Sequence, residues 1–137
     1  MFQHEIQVRV RYAETDQMGY VYHAHYATYF EVARVETMRA VGFSYKKMED
    51  EGVMMLVLEL KNQFKSPGRY DELLTVRISI PKMPTLKILF KYEVIGEDGR
   101  QVGLGETTLV FVNKNTGRPI RMPKELVELL VPYFEGK

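Results

Sequence analysis

No cysteine occurs anywhere in the 137 residues. That absence excludes disulfide staples, a thiolate nucleophile and cysteine-held metal together. It also fits a reducing cytoplasm. Net charge is nearly absent as well: 19 Lys and Arg against 18 Asp and Glu leave +1. Bulk electrostatics therefore recruit neither nucleic acid nor an anionic membrane. No apolar run approaches the roughly 18 residues that a membrane span needs, so no membrane insertion is expected. Met1 to Tyr12 alternates charged and apolar residues where a secretory signal would carry a continuous apolar stretch. Repeats, low-complexity tracts and linkers are missing too. What is present is 45% hydrophobic and 27% charged, an ordinary globular balance, in a length that fits one domain over residues 1–137. A single-domain cytoplasmic protein is the expectation.

The periodicity changes along the chain. Ile6, Val8, Val10 and Tyr12 alternate with Gln7, Arg9 and Arg11, which predicts a half-buried strand over Glu5 to Tyr12. A turn-like stretch from Ala13 to His23 follows. From Ala24 to Val41 the period is helical: Tyr26, Tyr29, Phe30, Ala33, Thr37, Met38 and Val41 recur at steps of three and four, with Glu31, Arg34 and Glu36 in the remaining positions. Gly42 sits where a glycine ends a helix. A weaker helical stretch covers Tyr45 to Glu51. Four strand patterns then follow: Val53–Phe64, Leu74–Ile80, Leu86–Val94 and Val102–Val112, separated by Pro67-Gly68, the Pro81–Pro84 turn and Glu97-Asp98-Gly99. Pro123 opens a short closing helix over Lys124 to Val131. The plan is α+β, one long helix on an antiparallel sheet. One helix covers one face, so apolar strand residues are left over on the other face or at an edge, and a homo-oligomer is the simple way to bury them.

The chemically informative segment is Tyr12-Ala-Glu-Thr-Asp16-Gln-Met-Gly19-Tyr-Val-Tyr22-His23-Ala-His25-Tyr26, on the strand-to-helix connection. A helix start offers unpaired amides and the positive end of the dipole, so a carbonyl placed there is polarised. Gly19 lets the backbone approach closely or take positive φ. Asp16 supplies a carboxylate able to attack a carbonyl or activate a water. A thioester suits such a site, because its thiolate leaving group needs little acid assistance.

This segment resembles the active-site signature of the 4-hydroxybenzoyl-CoA thioesterase family, in the branch of small bacterial acyl-CoA thioesterases associated with the Tol-Pal system. The signature runs Tyr-x-Asp-Thr-Asp-x-x-Gly-x-Val-aromatic-His-x-x-Tyr. Tyr12, Thr15, Asp16, Gly19, Val21, Tyr22, His23 and Tyr26 fall on it. Phe64-Lys-Ser-Pro67 resembles the family's second-strand ending, and Gly117-Arg-Pro119-Ile-Arg121-Met-Pro123 its closing segment. Two positions depart: Glu14 stands for the first Asp of the triplet, and His25 where Asn or a small residue is commoner. The resemblance implies a hotdog fold, a long helix wrapped by a five-stranded antiparallel sheet, with two subunits sharing active sites. It implies Asp16 as catalytic carboxylate, the His23 amide polarising the thioester carbonyl, and assistance from the Tyr12 and His23 side chains. It implies acyl-CoA as substrate and no cofactor or metal.

Each of these residues also has a plainer reading. Asp16 can cap its own turn. His23-x-His25 with Glu14 and Asp16 has the donors of a zinc or iron site, which the family does without. Tyr20, Tyr22, Tyr26 and Tyr29 can pack a helix face, with Tyr22 and Tyr26 also candidates to line the acyl pocket along with Gly19 and Val21. Lys65 and Arg69 flank Pro67-Gly68 and are candidates for the phosphates of coenzyme A, where the alternative is solvated surface charge. Gly103-Leu-Gly105 lacks the third glycine of a dinucleotide fingerprint, and Gly42-Phe-Ser44-Tyr-Lys46 lacks the last glycine of a nucleophile elbow. The expected protein is an acyl-CoA thioesterase assembled as a homotetramer, a dimer of dimers. The rivals are a hotdog acyl-thioester dehydratase and a non-enzymatic acyl-CoA-binding or scaffold protein.

Overall fold

The computed structural model describes residues 1–135. Strand β1 (Phe2–Arg9) leads through a 3-10 turn (Tyr12–Glu14) into helix α1 (His25–Val41) and the short α2 (Tyr45–Asp50). Strands β2 (Val53–Phe64), β3 (Leu73–Ile80), β4 (Lys87–Ile95) and β5 (Gln101–Asn113) follow, and α3 (Lys124–Leu130) closes the fold. The five strands form one antiparallel sheet in the order β1-β3-β4-β5-β2. The order does not follow the sequence: β2 crosses to the far edge and pairs with β5, Val53 opposite Asn113 and Phe64 opposite Gly103.

Alternation decides the two faces. Leu74, Val76, Ile78 and Ile80 of β3 and Ile88, Phe90, Tyr92 and Val94 of β4 are buried, and α1 covers them with Tyr26, Tyr29, Phe30, Ala33 and Met38. The outward face is polar: Gln3, Glu5, Gln7, Arg77 and Lys91 are exposed. The leftover apolar surface is therefore at an edge. On β2, Leu56, Val57, Leu58, Leu60 and Phe64 are 44 to 57% exposed. Gly42 ends α1 with φ of 101°, the left-handed conformation glycine permits. Ser44 caps α2 by accepting from the Lys47 amide at 3.1 Å. No helix among the described residues is long and apolar enough to cross a membrane.

Two expectations are corrected. The first strand runs Phe2–Arg9, starting earlier and ending sooner than Glu5–Tyr12, and Tyr12 is 80% exposed rather than on the buried face. The cause is Glu14: its carboxylate accepts from the Arg11 amide at 2.9 Å and the Arg11 guanidinium at 2.9 and 3.1 Å, curling the chain into a 3-10 turn. The second concerns Arg34, placed by periodicity among the polar positions of α1. It is buried at 7% exposure, its guanidinium donating to the Tyr92 hydroxyl at 3.1 Å.

Candidate active site

Between the 3-10 turn and α1 the chain makes a small hairpin. Thr15 bridges Val21, the Asp16 amide donates to the Tyr20 carbonyl at 2.9 Å, and the Tyr22 amide to the Glu14 carbonyl at 2.9 Å. Gly19 closes the loop with φ of 78°, and its amide donates to the Asp16 carbonyl at 3.0 Å. Asp16 Oδ1 accepts from the amides of Met18 at 2.9 Å and Tyr20 at 3.2 Å. One oxygen thus fixes the loop while Oδ2 makes no hydrogen bond among the described residues, and the residue is exposed. The capping and the chemical readings of Asp16 are compatible, since they use different oxygens.

The loop is held from outside by residues 67–72. The Val21 amide donates to the Gly68 carbonyl at 2.8 Å, the Tyr70 amide to the Gly19 carbonyl at 2.9 Å, and Tyr20 bridges Arg69. The Gly68 amide donates to the Tyr26 hydroxyl at 3.3 Å. A Cβ on Gly68 would stand 3.1 Å from Val21 Cγ2, a tight contact that the neighbouring side chains would have to give way to. Behind them lies a partly buried ion pair. Arg100 donates to both carboxylate oxygens of Glu72, at 2.7 and 2.8 Å, and to the Pro67 carbonyl at 2.6 Å. Glu72 also accepts from the Arg69 and Glu97 amides. The Arg100 guanidinium holds the Glu72 carboxyl below its usual range, outweighing the burial that opposes it.

At the start of α1, the His25 amide donates to the Tyr22 carbonyl at 2.9 Å. The amides of His23 and Ala24 have no acceptor among the described residues, as expected in a first turn. Aromatic rings crowd this end. Tyr22 leans on His23 with centroids 4.3 Å apart, and Phe64, at the end of β2, lies edge-on to His23 at 6.4 Å and to Tyr26 at 5.7 Å.

Along the hairpin and helix start Asp16, Tyr22 and His23 are exposed and Gly19 is half-buried. Val21 and Tyr26 are buried at 6% and 4% and act as the loop's scaffold. Tyr12 stands to one side, edge-on to Tyr70 at 5.7 Å. The Arg69 guanidinium lies over the Tyr20 ring at 5.8 Å, and Lys65 is exposed just past β2, its amide donating to the Val102 carbonyl. Glu14 turns inward. Burial raises its carboxyl, but the hydrogen bonds from Arg11 and from the Tyr29 hydroxyl at 2.9 Å hold it below the usual range. Glu14 therefore points away from Asp16, and among the described residues no three His, Asp or Glu side chains converge on one point. Sequence reasoning missed Glu72 and Arg100, and it placed Tyr29 on the packed face of α1 without its bond to Glu14. Glu72 and Arg100 stand 28 residues apart, on separate elements, so no spacing signals them.

Two hollows stand out among the described residues. The larger, ≈900 Å³, includes Glu5, Arg77, Lys91 and Glu93 and lies away from Asp16. The smaller, ≈430 Å³, lies between α1, α2 and β2.

Comparison with known proteins bears on what this arrangement does. The sequence profile described as the thioesterase-like superfamily matches residues 10–130. The acyl-CoA thioester hydrolase YbgC of Escherichia coli O157:H7 is 30% identical over 120 residues, 88% of this chain and 90% of that protein. A Staphylococcus aureus crystal structure described as a DHNA-CoA thioesterase superposes with a TM-score of 0.93 at 34% identity, covering 97% of this chain and 91% of that one. A hypothetical protein from Thermus thermophilus does so with 0.87 at 35% identity, covering 93% and 97%.

Proposed function

Because the chain belongs to the thioesterase-like superfamily and has the hotdog fold, we propose that it hydrolyses an acyl-coenzyme A to a carboxylic acid and free coenzyme A, with Asp16 as the reacting carboxylate. The observation that carries this reading is the division of labour at Asp16. Its Oδ1 is locked by two backbone amides while its Oδ2 is unpaired, on a loop that runs directly into a helix start whose first amides are free. In this reading the thioester carbonyl oxygen sits at the His23 and Ala24 amides, which stabilise the charge it gains on attack. Either Asp16 adds to the carbonyl carbon, giving an acyl-aspartyl anhydride that water then cleaves, or it takes a proton from the attacking water. In both routes the carbon–sulfur bond breaks and its electron pair leaves on the coenzyme A sulfur. His23, exposed beside Tyr22, and Tyr12 at the loop's flank assist, while Lys65 and Arg69 meet the coenzyme A phosphates.

The reading extends to the assembly. The unpaired apolar edge of β2 supports a two-fold pair in which each β2 runs against its copy, with active sites shared between subunits. A dimer of dimers would bury a second surface, and the charged outward sheet face favours the helix side, where Val32 is 40% exposed. A cytoplasmic place and membership of the Tol-Pal-associated branch are the remaining parts of the proposal; the branch rests on the resemblance of the Tyr12 to Tyr26 segment.

Thiol release from short, long and aromatic acyl-CoAs tests the activity. Turnover on at least one supports it. Stoichiometric binding without thiol release would favour an acyl-CoA-binding module, and loss of water from a hydroxyacyl thioester would favour a dehydratase.

A further inference from the structure

Arg34 is a buried cation with no carboxylate facing it among the described ion pairs. Its guanidinium donates to Tyr92 and lies beside the Tyr45 hydroxyl, but its Nε has no acceptor. Buried polar groups are almost always satisfied, and a buried charge without a counter-charge is costlier still. A buried guanidinium with an unpaired N–H therefore asks for an anionic ligand.

The space for one is present. Arg34 and Tyr45 line the ≈430 Å³ hollow, whose walls are otherwise apolar at Phe43, Met48, Met55 and Val57. Two other cations at its rim, Arg39 and Lys46, are engaged by Glu36 and Asp50. The rim carboxylates Glu31 and Glu49 are exposed to water. Burial raises the Tyr45 hydroxyl out of the titrating range, so it stays a protonated donor. The hollow thus offers a buried guanidinium and a protonated hydroxyl, with its carboxylates Glu31 and Glu49 exposed to water. A guanidinium fork matches a carboxylate, with which it makes two parallel hydrogen bonds.

The position of the hollow says which carboxylate. It opens at the Val53 end of β2, while the Asp16 loop and His23 lie at the Phe64 end. When a strand pairs antiparallel with its own copy, each start lies beside the other's end. The Arg34 hollow of one subunit then faces the Asp16 loop of the other. Resting on the thioesterase and strand-pairing readings above, we propose that the acyl group ends in a carboxylate held by Arg34 across the interface. The substrates are then coenzyme A monothioesters of dicarboxylic acids.

The test compares kcat/KM for adipoyl-CoA with hexanoyl-CoA, and glutaryl-CoA with pentanoyl-CoA, in wild type, Arg34→Met and Arg34→Lys. Met keeps the stem's volume, and Tyr92 retains its bond to Thr107 at 2.6 Å, so the fold is not left with a new orphan. A preference of at least about tenfold for the carboxylate-ended acyl group is expected in wild type. Arg34→Met is expected to bring that ratio close to one and Arg34→Lys to keep part of it. Free hexanoate, but not 1-hexanol, should raise the melting temperature of wild type and leave Arg34→Met unmoved. Equal or inverted selectivity in wild type, or a ratio that survives Arg34→Met, overturns the assignment of Arg34 while leaving the thioesterase standing. Absence of turnover on every acyl-CoA, methyl-ended ones included, overturns both.

Discussion

Glu14 and Asp16 are two residues apart and live in opposite surroundings. Asp16 is exposed with one free oxygen, whereas Glu14 is 4% exposed and has both oxygens engaged. The hydrogen bonds of Glu14 hold its carboxyl below the ordinary 4.5. A lowered folded value means that its stabilisation is complete above the unfolded value and is lost as pH falls through the folded one. Glu14→Gln is therefore expected to destabilise the protein by about 1–3 kcal/mol at neutral pH. It should also flatten the loss of stability that wild type shows between about pH 5 and pH 3. Urea unfolding at a series of pH values checks this, and parallel curves for the two proteins would contradict it. The residue identities around Asp16 were legible in the sequence because the motif is continuous. The inward turn of Glu14 was not, because its partner Tyr29 lies 15 residues further on.

At the scale of elements, the seat of α1 depends on a missing side chain. Phe30 stacks on Tyr92 with centroids 4.2 Å apart, directly over Gly105 of β5, where a Cβ would come within 2.5 Å of the Phe30 ring. Gly105→Ala is expected to cost about 2 kcal/mol, because the ring must leave its place in a packed core. The urea midpoint measures it, and an unchanged midpoint would contradict the close approach. Strands β3, β4 and β5 and helix α1 were readable from their periods, since one face of each meets the core. The end of β1 was misread because a local hydrogen-bonded turn overrides an alternation that continues in the residue types. Arg34 was misread because periodicity assumes that charges face water, which fails where a cation sits beside a cavity. The strand order was not readable at all. The position of β2 at the far edge is set by pairing with β5, from which it is separated by two intervening strands.

For the molecule as a whole, the edge of β2 is the unresolved surface. Five large apolar side chains there are close to half exposed in the single chain, against a polar outward face. Exposed apolar edges are liabilities unless a partner covers them. The double variant Leu58→Lys with Leu60→Lys is expected to sediment as a monomer and, on the proposal that two subunits share each site, to lose at least about tenfold in thiol release. A dimer that survives the charges, or a monomer as active as wild type, would contradict the shared site. Thiol release by wild type and Asp16→Asn, side by side on the best acyl-CoA, tests the assignment of Asp16 most directly. Asn retains an Oδ1 able to accept from Met18 and Tyr20, so the loop is preserved while the carboxylate is removed. A fall of at least about a hundredfold in kcat, with an unchanged melting temperature, is the expected result. A folded Asp16→Asn enzyme that turns over like wild type would contradict it.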